Sequence, residues 1–195
     1  MNMKFYLKIS SILVAAAFLS TLPVEAQTFR QTKQGITGTT QGMDIEIQFV
    51  SPEIVRVVKA PKGRSFTKKS LSVVKSPESM SVTTEKKGET VSLKSNAVRV
   101  DFNVGTGRIS FFDKQGKALF TEKDYGAQFT PFNDAGNQTF SVRQAFLLDK
   151  DEAIYGLGQQ QVDDLNQRNH KHFMRQRALY ASVPIIQSTK GYGMF

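Results

Sequence analysis

Ala97-Val98-Arg99-Val100-Asp101-Phe102-Asn103-Val104 is the stretch that decides the fold. Its residues alternate strictly, so an extended chain sends Val98, Val100, Phe102 and Val104 to one side and Arg99, Asp101 and Asn103 to the other. That is the period of a half-buried β-strand. Gly105-Thr106-Gly107 then turns the chain into a second apolar run, Arg108-Ile109-Ser110-Phe111-Phe112. Asp113-Lys114-Gln115-Gly116 has hairpin chemistry and leads into Lys117-Ala118-Leu119-Phe120. Neighbouring segments repeat the theme. Met43 to Phe49 alternates, Ile54 to Val58 is β-branched, and Leu71 to Val74, Ser81 to Thr84, Thr90 to Lys94 and Thr139 to Leu148 are further strand candidates. Closely spaced strands punctuated by Gly, Pro, Asn and Asp predict an all-β chain, an antiparallel β-sandwich. No alternation of strand and helix suggests a nucleotide-binding α/β fold. Leu157 to Met174 is polar and fits either a short helix or a long loop.

Composition narrows the chemistry. The 195 residues include no Cys, which excludes disulfides, thiolate zinc sites, iron–sulfur clusters and thiol nucleophiles. The length is below that of a lone (β/α)8 barrel, which needs roughly 250 residues. Residues 1–26 carry a secretory signal pattern: Lys4 and Lys8, the apolar run Ile9 to Leu19, then Val24-Glu25-Ala26 where a signal peptidase cuts. The apolar run falls short of the about 20 residues that span a bilayer, so no membrane span is expected. The expected product is an exported domain, Gln27 to Phe195, in the periplasm or outside the cell. The formal charge is +9, but Lys62, Arg64, Lys68, Lys69, Lys75, Lys86 and Lys87 are scattered through turn-like sequence. Nucleic-acid binding would group them with stacking aromatics, and none is expected.

Reactive constellations are sparse. Asp149-Lys150-Asp151-Glu152 and Asp163-Asp164 are the dense carboxylate groups, and both sit in polar, turn-like sequence that reads as solvated loop. Tyr155-Gly156-Leu157-Gly158 is followed by Gln161 where a dinucleotide fingerprint needs its third glycine. Ser65-Phe66-Thr67-Lys68 has a serine–lysine hydrolase spacing without its partner motifs. His170 and His172 share a face if extended, but a catalytic metal usually takes three protein ligands, so neither metal nor other cofactor is expected. No residue presents itself as catalytic.

Several segments together carry a resemblance. Glu152 to Gln161, with its Tyr-Gly-Leu-Gly core, resembles the YGLG segment in the N-terminal domain of glycoside hydrolase family 31. Val183 to Phe195, with Gly-Tyr-Gly at Gly191 to Gly193, is similar to a downstream segment of that domain, and Asp164 to Arg168 to a short stretch between them. Val50 to Val57 and the Gly107 to Gly116 hairpin are similar to earlier segments, in the family's order, over roughly residues 40–195. The resemblance implies a galactose mutarotase-like β-sandwich ahead of a (β/α)8 barrel. In that family the barrel carries the aspartate nucleophile and acid/base of a retaining α-glycosidase (α-glucosidase, α-xylosidase or transglycosylase).

The sequence stops at Phe195, before any barrel. The expectation is therefore a non-catalytic domain whose sandwich is incomplete at its C-terminus, with exposed edges prone to aggregation. The implied substrate is an oligosaccharide or polysaccharide with α-linked glucose or xylose. The implied rim loop is Asn169 to Tyr180, in which Arg175 and Gln176 offer hydrogen bonds to sugar hydroxyls and Phe173 or Tyr180 an apolar face. Gly156, Gly158, Gly191 and Gly193 are expected to permit close strand approach and positive φ. The rival reading is a free-standing carbohydrate-binding sandwich. The absence of Trp, with only 5 Tyr, counts against the aromatic platform such modules present.

Overall fold

A computed structural model describes residues 28–65, 70–159, 164–176 and 179–195. The signal pattern of residues 1–26, Phe66 to Lys68 of the serine–lysine spacing, Gln161 and Asp163 lie outside the described residues. The described chain is all-β and antiparallel, without a helix. Ten strands form its two main sheets. Strands β1 (Thr28–Thr32), β2 (Gly35–Thr40), β3 (Met43–Ser51) and β4 (Ile54–Pro61) make a four-stranded sheet in sequential order. Strands β5 (Thr83–Lys87), β6 (Thr90–Lys94), β7 (Val98–Asn103), β8 (Ile109–Asp113), β9 (Ala118–Asp134) and β10 (Asn137–Leu147) make a six-stranded one.

The alternation read from sequence is what packs these sheets. Met43, Ile45, Ile47 and Phe49 of β3 meet Val91 and Leu93 of β6, Val100 and Phe102 of β7 and Ile109 of β8 in one buried cluster. Polar neighbours such as Asp44, Glu46 and Asp101 point the other way and stay partly exposed. Side chains close the turns. The Asn103 carboxamide oxygen accepts from Thr106 N at 2.7 Å, and the Asp113 carboxylate accepts from Gln115 N and Lys117 N at 2.9 and 2.8 Å. Gln41 and Gly42, with φ of 50° and 69°, form a two-residue hairpin turn whose twist suits the strands it joins.

Two expectations are corrected. Leu71 to Val74 is not a strand: it has no ladder partner, and Leu71 and Val74 are almost fully exposed. The hydroxyl of Ser70 accepts from Ser72 N and Val73 N, a local turn that competes with extended pairing. Ser81 to Thr84 enters the sheet only at Thr83. Other runs extend further than expected: Lys117 to Phe120 opens a strand of 17 residues.

A charge lies within the sandwich. Lys59 of β4 sits opposite Ile45, on the same side as Val55 and Val57. Its Nζ donates to the Glu122 carboxylate of β9 at 2.6 Å and to the carbonyls of Gly107 and Tyr125 at 2.9 Å each. Glu122 also accepts from Ile109 N at 2.9 Å and Gln144 Nε2 at 3.3 Å, and both ionic side chains are all but sealed from solvent. Burial pushes Glu122 above its ordinary value and Lys59 below its own, and the attraction between them offsets only part of that.

Candidate functional site

The third sheet flanks the segment that holds the expected site residues. It comprises β11 (Ile154–Gln159), β12 (Ala181–Ser188) and β13 (Gly193–Met194), in sequential order. Its glycines behave as expected on β11. Gly156 and Gly158 have φ of 115° and 84°, and a Cβ at each would lie 2.3 Å from the Ile185 carbonyl and 1.9 Å from that of Ala181. The backbone bulges here, between Gly156 and Gly158, which only a residue without a side chain permits at such range. Gly191 has φ of 86°, whereas Gly193 does not adopt a positive φ.

Glu152 is a correction. Read as part of a solvated loop, it is instead 3% exposed, just ahead of β11. Its carboxylate accepts from the Ser188 hydroxyl, from Tyr192 Oη at 2.6 Å and from Asp149 N at 2.9 Å. Burial pushes this carboxyl upward. The three hydrogen bonds and the Lys190 charge outweigh that and hold it below its ordinary value. Burial and the adjacent carboxylate together raise the Tyr192 phenol. The Tyr192 ring stacks on Phe120 at 4.7 Å, and Phe120 stacks on Phe111 at 4.4 Å, so the knot joins the small sheet to the six-stranded one. Asp149 and Asp151, in contrast, are exposed, in keeping with a loop.

Between β11 and β12, the described residues 164–176 form a strap. Asn166 Oδ1 accepts from Ile154 N, and Gln167 N donates to Ile154 O at 2.6 Å, so the strap's first part runs along the start of β11. The Arg168 guanidinium clamps the same place, donating to the carbonyls of Asp149 and Glu152. At the far end, the Gln176 side-chain oxygen accepts from Ser182 N at 3.1 Å and the Ser182 hydroxyl donates to the Arg175 carbonyl at 3.0 Å. Phe173 and Arg175 are exposed between these anchors, Phe173 by 78%. Lys171 Nζ lies 5.3 Å from the Phe173 ring centroid. Gln176 is exposed, but its oxygen is committed to the strap's own backbone. Tyr180 is half-buried where the strap enters β12.

His170 and His172 belong to this strap rather than to a strand. Their rings are nearly parallel, with centroids 6.2 Å apart, and His170 Nε2 is 3.4 Å from an Asp164 oxygen. Among the described residues no three His, Asp or Glu side chains are placed to hold a metal ion.

Residues 44–195 match the family model described as the glycosyl hydrolase 31 N-terminal galactose mutarotase-like domain. The chain belongs to glycoside hydrolase family 31. Its match is to the N-terminal domain of that family, and the three sheets described here supply the strands of the matched region. An α-xylosidase from Saccharolobus solfataricus is 28% identical over 162 residues, which cover 78% of this chain and 22% of that protein. The crystal structure of the family 31 α-xylosidase from Xanthomonas citri superposes with a TM-score of 0.79 at 31% identity, over 84% of this chain and 18% of that one. A soil-metagenome family 31 α-xylosidase, solved with xylose bound, gives 0.74 at 25% identity, over 85% and 27% of the two chains. The chain thus spans less than a third of the length of these relatives.

Proposed function

We propose that this chain is the N-terminal, non-catalytic domain of an exported retaining α-glycosidase of the α-xylosidase type. The observation that carries the reading is the likeness to the Xanthomonas citri α-xylosidase over most of this chain. In this reading the domain packs against a (β/α)8 barrel, and its strap lines the mouth of the barrel's sugar pocket.

The carboxylates within the domain support a scaffold role. Retaining hydrolysis uses two carboxyl groups about 5–5.5 Å apart that face a bound sugar. Glu122 is spent on Lys59 and the Ile109 amide, and Glu152 on Ser188, Tyr192 and the Asp149 amide. Both are sealed from solvent, so neither can reach a glycosidic bond. The strap offers a different service: Phe173 presents an aromatic face and Arg175 a fork of donors, the groups that orient a sugar. Residues 1–26 serve as the export signal, removed after Ala26.

The test is turnover of nitrophenyl α-xyloside and α-glucoside by purified 27–195 and by the product of the complete reading frame. The frame's product is expected to hydrolyse the xyloside and 27–195 to be silent. Turnover by 27–195 equal to that of the longer product would overturn the assignment. Mass analysis of the exported protein should find Gln27 at its N-terminus.

A further inference from the structure

We propose that the strap selects saccharides bearing an anionic substituent, a carboxylate or a sulfate ester, which Lys171 and Arg175 bind beside the Phe173 ring. This rests on the functional reading above, which puts the strap at the pocket mouth, and adds the chemistry of what the strap holds there.

Charge along the sequence points this way. Residues 165–195 include Arg168, Lys171, Arg175, Arg177 and Lys190 and no Asp or Glu, although the chain has 17 acidic residues. Two of these cations are already engaged. The Arg168 guanidinium donates to the Asp149 and Glu152 carbonyls, and Lys190 pairs with the Asp149 carboxylate at 2.8 Å. Lys171 and Arg175 are exposed, and among the described residues neither has an ion-pair partner. The described carboxylate of the strap, Asp164, stands at its start, 3.4 Å from His170 Nε2.

Hydrogen-bond capacity points the same way. A sugar hydroxyl both donates and accepts, whereas ammonium and guanidinium heads only donate. Around Phe173 the neighbouring side chains are in use: the Gln176 oxygen accepts from Ser182 N, His170 Nε2 faces Asp164, and His172 Nε2 is covered. Lys171 and Arg175 therefore remain as donor-only heads. Their matching partner accepts without donating, which is the property of an oxyanion. The Arg175 fork suits two parallel bonds to it, and Lys171 adds a point charge.

The aromatic ring makes the anion's carrier a saccharide. Lys171 Nζ lies 5.3 Å from the Phe173 ring centroid, and Phe173 is 78% exposed. A pyranose ring laid on Phe173 brings its substituents towards that ammonium. The strap is tied to Ile154 on one side of these residues and to Ser182 on the other, so the three groups are displayed together. Nucleic acid also offers oxyanions and flat rings, but the family match is to glycoside hydrolases.

The test is calorimetric titration of the product of the complete reading frame, with xyloside turnover measured in parallel. The probes are an α-xylosyl oligosaccharide carrying a glucuronate residue, its carboxyl-reduced neutral counterpart and a sulfated counterpart. The glucuronate form is expected to bind about fivefold tighter than the reduced form at low salt, with the advantage fading at high salt. Lys171→Gln with Arg175→Gln should bring the two forms to parity, whereas the charge-preserving Lys171→Arg with Arg175→Lys should keep the preference. A larger advantage for the sulfated form would support the proposal and name sulfate as the anion. Equal affinity for all three forms in an active enzyme would overturn the proposal and leave the functional reading standing. A preference that survives the double Gln variant would overturn the assignment to the strap. A DNA oligonucleotide bound as tightly as the acidic saccharide would reduce the effect to unspecific charge and overturn it too. A product without glycosidase activity would overturn the functional reading, and this proposal with it.

Discussion

Replacing Glu122 by Gln removes one charge from the interior and leaves the other. In the native domain, Lys59 Nζ has the Glu122 carboxylate at 2.6 Å and two carbonyls at 2.9 Å, all out of water. Breaking a buried pair from one side typically costs about 3–5 kcal/mol, because the survivor is left uncompensated. The Gln oxygen can still accept from Ile109 N, so E122Q belongs near the lower end, about 3 kcal/mol. For a domain of this size, each kcal/mol moves the melting temperature by about 2–4 °C, which gives a drop of about 6–12 °C.

The second half of the prediction is the rescue. Adding Lys59→Met removes the orphan charge and keeps the volume. The Gly107 and Tyr125 carbonyls then each lose a donor, but the double variant should still regain about 1–2 kcal/mol over E122Q. Burial without a counter-charge drives Lys59 further below its ordinary value of 10.5. A lysine depressed in the folded state adds stability at alkaline pH and loses it as pH falls through its folded value. E122Q should therefore recover as pH rises towards 10.5. Urea titration of the three proteins across pH 6 to 10 is the assay. A loss below about 1 kcal/mol for E122Q, or a double variant no more stable than E122Q, would refute the argument from desolvation.

Further outcomes are expected. In wild type, the raised carboxyl of Glu122 contributes stability that is complete below 4.5 and is lost as pH rises through its folded value, visible as a shallow decline absent from E122Q. Glu152 has the opposite sign: its lowered carboxyl contributes stability that is complete above 4.5 and fades as acid protonates it, so E152Q should flatten the acid limb of a melting-temperature profile. Tyr192→Phe removes a hydrogen bond to that carboxylate and should cost about 1.5–3 kcal/mol by denaturant titration. Gly158→Ala drives a methyl group against the Ala181 carbonyl at a left-handed position and should cost more than about 1 kcal/mol, or prevent folding. If the proposed function holds, Phe173→Ala and Arg175→Ala in the product of the complete reading frame should raise KM for xylosides without moving the melting temperature, since both side chains stand in solvent between the strap's anchors.

The parts of the fold legible in sequence are those where a single strand carries its own signal. Val98 to Val104 and Met43 to Phe49 alternate because one side of each is buried, and they form the core as expected. Lys59 was not legible, since it lies past the Ile54 to Val58 run and its partner Glu122 stands 63 residues away. Thr28 to Thr40 was not legible either, because among its described residues Ile36 is the one fully buried hydrophobic side chain in a run dominated by Thr, Gly and Gln. Glu152 was hidden for another reason. Its local sequence is acidic and turn-like, and the groups that make it a buried anchor, Ser188 and Tyr192, stand 36 and 40 residues away. Leu71 to Val74 misled in the other direction: β-branched composition has no effect without a partner strand, and Ser70 supplied a competing turn.

The strap's two moorings separate its length into parts with different freedoms. Asn166, Gln167 and Arg168 at one end and Gln176 with Ser182 at the other are tied to backbone, so changes there are paid in folding. Residues 171–175 hang between these posts, with Lys171, Phe173, Met174 and Arg175 exposed. Exchanging Lys171, Phe173 or Arg175 therefore alters what the loop displays without altering where it is displayed. On the proposed function, a lineage could drift from one saccharide to another through these few positions while the sandwich beneath stays constant.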